Sequence, residues 1–182
     1  MKLTESDERI FDKLHTAEVF RDIEPGSIDI GEGAIHVSCG DCDEVKDLMS
    51  HFERCCVTGT DPLRIHEIKI NGGPLSIPDN SPLLRTYPGL NESAIIMIRR
   101  SAKMKGIRKV VFHPHGICGE ADDHGLALIG SLQVFDAACQ EFARRLPDLE
   151  LIPAFHVRHV DDRRRTHLFS PRLWREAHHR VL

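Results

Sequence analysis

Strand-like and helix-like segments alternate along this 182-residue chain, and the alternation restricts the fold more than any other feature does. Short apolar segments predict strands, and longer segments with a 3.6-residue apolar period predict helices. Strands that alternate with helices pair in parallel through right-handed crossovers. We therefore predict an α/β fold with a central, mostly parallel four-stranded sheet flanked by helices. The predicted strands are 34–38, 64–70, 108–113 and 149–157, and the predicted helices are 7–21, 43–56, 91–105, 122–146 and 171–182.

The length fits a single domain, since domains usually have roughly 100–200 residues. We expect one domain over residues 1–182, with a helical amino-terminal arm at 1–30, a core at 34–161 and a carboxyl-terminal helix at 162–182. The lysines and arginines number 24 and the acidic residues 28, so the net charge is −4. This mild acidity disfavours nonspecific nucleic-acid binding, which depends on excess basic charge. We expect no nucleic-acid partner.

No apolar leader is visible in residues 1–11, and the longest uncharged run, 125–135, is short of the roughly 20 residues that a membrane helix needs. We therefore expect a cytoplasmic protein that does not contact a membrane. The chain has six cysteines. In a reducing compartment, clustered cysteines and histidines indicate metal or redox chemistry rather than disulfides.

A histidine and a cysteine follow the third predicted strand in the segment His115-Gly-Ile-Cys118, and Cys39 follows the first. The carboxyl ends of parallel strands meet at one edge of a sheet, so these side chains can converge. One imidazole and two thiolates suit zinc, and three protein ligands leave a fourth position open, as in catalytic zinc sites. The alternative is that they are buried thiols and a hydrogen-bonded imidazole.

These segments resemble motifs of the beta-class carbonic anhydrases. Residues 39–43, Cys-Gly-Asp-Cys-Asp, resemble the family's C-x-D-x-R motif. Residues 105–119 are similar to its G-V-x-x-[IV]-V-V-x-G-H-x-x-C-G segment, and Asn71-Gly72-Gly73 is similar to its turn after the second strand. The resemblance covers residues 34–161, and the order of the elements agrees with that of the family.

The resemblance implies that residues 34–161 form a zinc-binding core in which Cys39, His115 and Cys118 hold Zn²⁺. It implies a carbonate dehydratase, a zinc hydro-lyase in which zinc-bound hydroxide converts carbon dioxide to bicarbonate. Asp41 would orient the hydroxide, and the small Gly72 and Gly73 would leave room for the substrate. The resemblance further implies a homodimer or higher homo-oligomer, with amino-terminal helices that wrap the partner.

The chain departs from the family at Asp43, which stands where the C-x-D-x-R motif has its arginine. In the family that arginine pairs with the aspartate and holds it away from the metal. Without it, Asp41 either orients the hydroxide with the help of another arginine, such as Arg64, Arg85 or Arg100, or becomes the fourth zinc ligand. Pro114 also departs, because the family has glycine before its histidine ligand.

Two other functions are compatible with these residues. A zinc site closed by a fourth protein ligand would make the chain a catalytically inactive, carbonic-anhydrase-like binding or regulatory protein. Alternatively, Cys39 and Cys42 form a C-x-x-C pair between a predicted strand and a predicted helix, which is the arrangement of thioredoxin-type dithiol oxidoreductases. The oxidoreductase hypothesis assigns no role to His115 and Cys118.

Overall fold

The computed structural model describes residues 2–40, 45–57 and 63–181. It contains six helices, eight strands and two short 3₁₀ turns within these residues. The helices are α1 (Glu5–Thr16), α2 (Val45–Cys55), α3 (Leu90–Lys105), α4 (Gly119–Asp123), α5 (Leu128–Arg145) and α6 (Pro171–Val181). The strands are β1 (Phe20–Asp22), β2 (Ile28–Asp29), β3 (Ala34–Cys39), β4 (Cys56–Val57), β5 (Ile65–Ile70), β6 (Lys109–His113), β7 (Glu150–Arg158) and β8 (Arg164–Phe169).

The central sheet has six strands in the order β1-β8-β7-β6-β3-β5. Strands β7, β6, β3 and β5 pair in parallel, and they correspond to the four predicted strands. Strands β8 and β1 extend this parallel sheet with antiparallel pairs. The predicted fold class, an α/β protein with a mostly parallel central sheet flanked by helices, is thus confirmed, and the sheet is two strands wider than predicted.

The helix predicted at 171–182 corresponds to α6, but Arg164–Phe169, earlier in the expected carboxyl-terminal helical segment 162–182, forms β8. Asp162 adopts a left-handed conformation, with φ of 65°, and turns the chain back on itself after β7. Backbone bonds of 2.8 Å from His159 N to Arg163 O and 3.0 Å from Asp162 N to His159 O close the hairpin. Strand β8 begins within a run of three arginines at 163–165, a composition that does not predict a strand.

Two predicted helices are shorter in the structure. The segment 122–146 is divided into α4 and α5, and Gly125 lies between them at a φ of 74°. The helix predicted at 7–21 ends at Thr16, and the left-handed Glu18, at φ 58°, redirects the chain into β1. In both places local backbone geometry interrupts an apolar pattern that would otherwise continue a helix.

The sheet is covered on both sides. Alternate residues along a strand face opposite sides, so Val110 and Phe112 belong to one apolar cluster and Val111 to the other. The larger cluster includes side chains of α1, α3, α5 and α6, whereas Phe52 of α2 packs in the smaller one. The carboxyl ends of β3 and β6, where the candidate ligands follow, are thus enclosed by helices.

The amino-terminal segment packs against its own chain. Phe11 and Leu14 of α1 are buried in the larger cluster. The rings of Phe11 and Phe20 stack with centroids 4.6 Å apart, and β1 joins the sheet beside β8. This segment therefore contributes to the core of its own subunit, and the expected contact with a partner stays a prediction.

Among the described helices, none combines the length and the apolar character that crossing a membrane would require.

Candidate metal centre

Three potential ligands converge beyond the carboxyl ends of neighbouring strands. Cys39 is the last residue of β3, His115 follows β6 by two residues, and Cys118 is the N-cap of α4. One donor atom of each side chain lies within 4.8 Å of the others. All three residues are buried, with exposed fractions of 4% for Cys39 and 2% for the other two. The structure therefore brings together the residues that the sequence analysis proposed as ligands.

The two thiols have a separation that suits a shared ion. Cys39 Sγ lies 3.6 Å from Cys118 Sγ, and both cysteines are free. Two thiolates on one tetrahedral zinc, with Zn–S bonds of about 2.3 Å, would be about 3.8 Å apart. A disulfide would instead need about 2.05 Å. Two thiols and an imidazole are also the donors that zinc prefers, so these residues fit the metal in both spacing and chemistry.

Local electrostatics favour the thiolate form of Cys118. A hydrogen bond from Cys39 is the largest of the influences that lower the pKa of Cys118 to about 4. Burial opposes this shift, while a hydrogen bond and the charge of His115 and the backbone N–H of Ala121 add to it. Because the thiolate is the form of cysteine that binds metals, this environment prepares Cys118 for ligation.

The turn from His115 to Cys118 is held against the sheet. Gly116 N donates a bond of 2.7 Å to His156 O, and His115 forms an isolated parallel bridge with His156 of β7. Ile117 adopts a φ of 53°, a left-handed conformation that is rare for a β-branched residue. Such strain costs about 1–3 kcal/mol and persists only where the surrounding contacts impose it.

The turn after β5 requires its two glycines for packing. A Cβ at Gly73 would lie 2.7 Å from the backbone nitrogen of Cys39, and a Cβ at Gly72 would lie 2.1 Å from a methyl carbon of Leu83. Both glycines also have positive φ, 71° and 55°. Gly73 thus allows the turn to approach the backbone of Cys39, and the expectation that the two glycines leave space for a substrate stays a prediction.

A polar cluster adjoins the candidate ligands, and no sequence motif indicates it apart from the turn that contains Asn71. Asn71 Nδ2 donates to Tyr87 Oη at 3.0 Å, and Tyr87 donates to Glu120 Oε2 at 3.2 Å. His124 Nε2 lies 3.4 Å from Glu120 Oε1 and 3.2 Å from Thr86 Oγ1. Glu120 is only two residues from Cys118, and this short spacing could have indicated that it lies near the candidate ligands. Tyr87 and Thr86 follow a 3₁₀ turn whose position could not be inferred from periodicity.

A row of buried histidines, also not identified from the sequence, lies between the sheet and α2. His36 Nε2 is 3.0 Å from His113 Nδ1, and His113 Nε2 is 3.1 Å from Thr166 Oγ1. The same hydroxyl is 3.0 Å from His156 Nδ1, and His156 Nε2 is 3.0 Å from Asp47 Oδ2. This histidine row connects the centre of the sheet to a half-buried carboxylate on α2.

Burial keeps the inner part of the histidine row uncharged. Desolvation, with a smaller contribution from the charge of Lys69, lowers the pKa of His36 to about 3. Desolvation is the largest cause that holds the pKa of His113 well below its usual value, and the electrostatic interaction with His36 is the next. At the other end, a hydrogen bond from His156 lowers the pKa of Asp47 against the opposing effect of burial.

Asp41, Cys42 and Asp43 lie outside the described residues, so the roles expected for them stay predictions. Of the arginines considered as replacements, Arg64 donates to the carbonyl oxygens of Glu32 and Lys105 at 3.0 Å each. It precedes β5, at the end of the strand opposite to the one that pairs with Cys39. The expectation that Arg64 serves Asp41 is therefore not supported. Arg85 and Arg100 are exposed.

A surface cavity of about 600 Å³ lies at the amino-terminal ends of β6 and β7, whereas the candidate ligands lie at the carboxyl ends of the strands. Arg99, Arg108 and Asp148 are among the residues that line it, and Arg108 directly precedes β6. Cys39, His115 and Cys118 do not border this cavity. The three candidate ligands are instead buried side chains, each with an exposed fraction of 4% or less.

No family model matches this chain, and no curated protein matches it. The solved structures that resemble it include a tetrameric beta-carbonic anhydrase of the filamentous ascomycete Sordaria macrospora, with 12% identity, a TM-score of 0.40 and coverage of 88% of this chain and 87% of that one. A carbonic anhydrase of Streptococcus mutans has 16% identity and a TM-score of 0.37, with coverage of 91% and 99%. Beta-carbonic anhydrase isoform I of Trichomonas vaginalis has 10% identity and a TM-score of 0.36, with coverage of 90% and 97%. The chain is thus similar to solved beta-carbonic anhydrases at low identity.

Proposed function

We propose that this protein is a zinc-dependent, carbonic-anhydrase-like enzyme that interconverts carbon dioxide and bicarbonate. The observation that carries the proposal is the convergence of Cys39, His115 and Cys118 within 4.8 Å. These residues are separated by as many as 79 positions along the chain. They also occupy the positions at which the sequence resembles the ligand motifs of beta-class carbonic anhydrases.

In this proposal Cys39, His115 and Cys118 hold the metal. Bound zinc would supply a nucleophile at neutral pH by lowering the pKa of water from about 15.7 to near 7. The chain contributes a buried, preorganised donor set, so little rearrangement is needed when the metal binds. The approach of Gly73 to the backbone of Cys39 fixes one ligand, and the strained turn at Ile117 fixes the spacing of the other two.

Asp41 is proposed to orient the attacking nucleophile or, because Asp43 replaces the family arginine, to act as a fourth ligand. The first role gives a catalyst, and the second gives a closed zinc site in a binding or regulatory protein. Asp43→Arg separates them, since it restores the residue that would hold Asp41 off the metal. An increase in hydration rate with unchanged zinc content supports the catalytic role of Asp41.

The decisive experiment combines elemental analysis of the purified protein with stopped-flow hydration of carbon dioxide from pH 6 to 9. One equivalent of zinc and a rate that rises with pH support the proposal. Bound zinc with no activity at any pH supports the inactive binding protein. A protein that contains no metal and takes up none would overturn the assignment of all three ligands.

The dithiol oxidoreductase remains a second candidate, because the thiols of Cys39 and Cys118 are 3.6 Å apart and a buried thiolate is favoured at Cys118. Its sequence-based form uses Cys42, which is outside the described residues. Peptide mapping of the protein after mild oxidation tests it. A Cys39–Cys42 or Cys39–Cys118 disulfide in metal-free protein, together with disulfide reductase activity, would favour this function over hydration.

We also propose a homodimer or higher homo-oligomer, as the sequence resemblance implies. Light scattering coupled to gel filtration measures the mass directly. A mass of 20.6 kDa, that of the single chain, at micromolar concentration would contradict this part of the proposal and leave the metal site untouched.

A further inference from the structure

A second group of metal-binding side chains lies apart from the candidate centre, at the edge of the sheet formed by β1 and β8. One donor atom each of His15, Asp22 and His167 lies within 4.8 Å of the others. His15 comes from the last turn of α1, Asp22 ends β1, and His167 lies in β8. The three elements that supply these residues meet where the amino-terminal segment joins the sheet.

The backbone fixes the relative positions of two members of this group. Asp22 and His167 are direct partners in the antiparallel register of β1 and β8. Directly opposed residues have Cβ atoms about 4.5–5.5 Å apart, close enough for one ion to bind both side chains. The ring of His15 approaches edge-on, with its centroid 5.9 Å from that of His167.

The distances between donor atoms suit a small coordination shell. Asp22 Oδ1 is 3.0 Å from His167 Nδ1 and 3.4 Å from His15 Nε2. Ligands at about 2.0–2.2 Å from a tetrahedral zinc would be about 3.3–3.6 Å from one another. A single carboxylate oxygen thus lies between two imidazole nitrogens at roughly the spacing that a shared ion imposes.

The hydrogen bonding of His167 gives a second reason to place a ligand here. The residue is buried, and within the described part of the chain its ring nitrogens make no hydrogen bond of ordinary geometry, although Nδ1 lies 3.0 Å from Asp22 Oδ1. Buried polar atoms usually have partners, so the contact with Asp22 alone leaves this imidazole incompletely satisfied. The side chains of His15 and Asp22 are 42% and 51% exposed, which leaves a path by which an ion can enter.

We propose that His15, Asp22 and His167 form a second site for a divalent first-row transition cation, distinct from the Cys39–His115–Cys118 centre. Two imidazoles and one carboxylate suit zinc, iron, nickel or copper, and three protein ligands leave room for water on the exposed side. The ion would join α1 to the edge of the sheet, so its binding also stabilises the fold by mass action.

Cobalt(II) is the probe that tests this site, because its absorption distinguishes the two donor sets. Cobalt bound by thiolates gives an intense thiolate-to-metal charge-transfer band, whereas a site of two imidazoles and a carboxylate gives only weak visible bands. Metal-free wild-type protein is titrated with cobalt and followed by absorption and calorimetry. We expect a component that lacks the charge-transfer band and that raises the melting temperature.

Asp22→Asn keeps the shape of the side chain and removes its charge, so it should weaken this component at least roughly tenfold. Asp12→Asn, the same change at an exposed position of α1, is the matched control and should leave the affinity unchanged. His15→Ala gives an independent test at a half-exposed residue. Circular dichroism and the metal-free melting temperature establish that each variant folds.

Equal cobalt binding by wild type and Asp22→Asn would overturn the second site, as would the absence of any cobalt component without a charge-transfer band. Such a result would mean that the group is only a cluster of ion-paired side chains. The test does not depend on the proposed function: if the charge-transfer band is missing but an Asp22-dependent component persists, the second site stands and the thiolate centre fails.

Discussion

The sulfur atoms of Cys39 and Cys118 lie 3.6 Å apart although the residues are 79 positions apart in the sequence. Parallel pairing of β3 with β6 brings them together, because it places the carboxyl ends of both strands at the same edge of the sheet. The first prediction follows from this proximity.

Cys118→Ala should abolish stoichiometric zinc binding, because it leaves one thiol and one imidazole. Cys139→Ala is the matched control, since Cys139 is also a buried thiol but lies on the apolar face of α5. Elemental analysis of both purified variants measures the outcome. Full zinc content in Cys118→Ala, or equal loss in the two variants, would contradict the ligand assignment.

Gly73→Ala should destabilise the protein by about 3 kcal/mol, because the new methyl group meets the Cys39 backbone and the left-handed conformation becomes costly. Gly106→Ala is the control: Gly106 has a similar φ of 67° but no atom within 4 Å of the added carbon. The free energy of unfolding of Gly106→Ala should fall by only about 1–2 kcal/mol, the cost of the left-handed conformation alone. Urea unfolding compares the two.

The same pair of variants tests whether the turn positions a ligand. Zinc affinity should fall in Gly73→Ala and stay at the wild-type value in Gly106→Ala. If both variants lose equal stability and neither loses affinity for zinc, the turn does not position Cys39.

Thr166→Val should lower the free energy of unfolding by about 2–4 kcal/mol. The change removes the hydroxyl that lies between His113 and His156, so a buried ring nitrogen of each histidine loses its hydrogen-bond partner. Valine has nearly the same volume, so the loss reports on hydrogen bonding rather than on packing. Thr16→Val removes an exposed hydroxyl from the end of α1 and should change stability by less than about 0.5 kcal/mol. Comparable effects at the two positions would show that the histidine row contributes little to stability.

Acid should destabilise the protein over a defined range of pH. The pKa of His36 is about 3 in the folded state and about 6.5 when unfolded. Between these values the unfolded chain binds a proton that the folded chain does not. The free energy of unfolding should therefore fall by about 1.4 kcal/mol per pH unit from this residue alone as the pH drops below 6.5.

The neutral state of the buried histidines can be tested by measuring stability from pH 8 to 4.5. His36→Asn keeps a donor for His113 but does not titrate, so its stability should depend less steeply on pH than that of the wild type. His113, whose pKa is also lowered by burial, should account for part of the remaining slope. Identical slopes in the wild type and in His36→Asn would show that His36 is protonated in the folded protein.

The parallel core and the residues of the candidate centre could be inferred from the sequence because both depend on local patterns. Alternating apolar residues located β3, β5, β6 and β7, and strand ends located Cys39 and His115. Strand β8 was missed because it begins in an arginine-rich segment, and only its pairing with β7 makes it a strand.

Sites formed by distant, individually unremarkable residues could not be inferred in this way. His15, Asp22 and His167 belong to no motif, and only the pairing of β1 with β8 brings them together. The histidine row likewise depends on the position of α2 over the sheet, since Asp47 of α2 is the carboxylate that contacts His156. Both groups are formed by the packing of separate strands and helices, which the spacing of residues along the chain does not reveal.

Strand β1 has only three residues, but its position gives it a protective role. It occupies the free side of β8, where Phe20 pairs with Phe169, and Ser170 N bonds to Val19 O just beyond the strands at 2.8 Å. Without residues 5–22, the backbone of β8 and the aromatic ring of Phe169 would be open to pairing with strands of other molecules. Proteolysis or truncation in this segment should therefore make the protein more prone to aggregation.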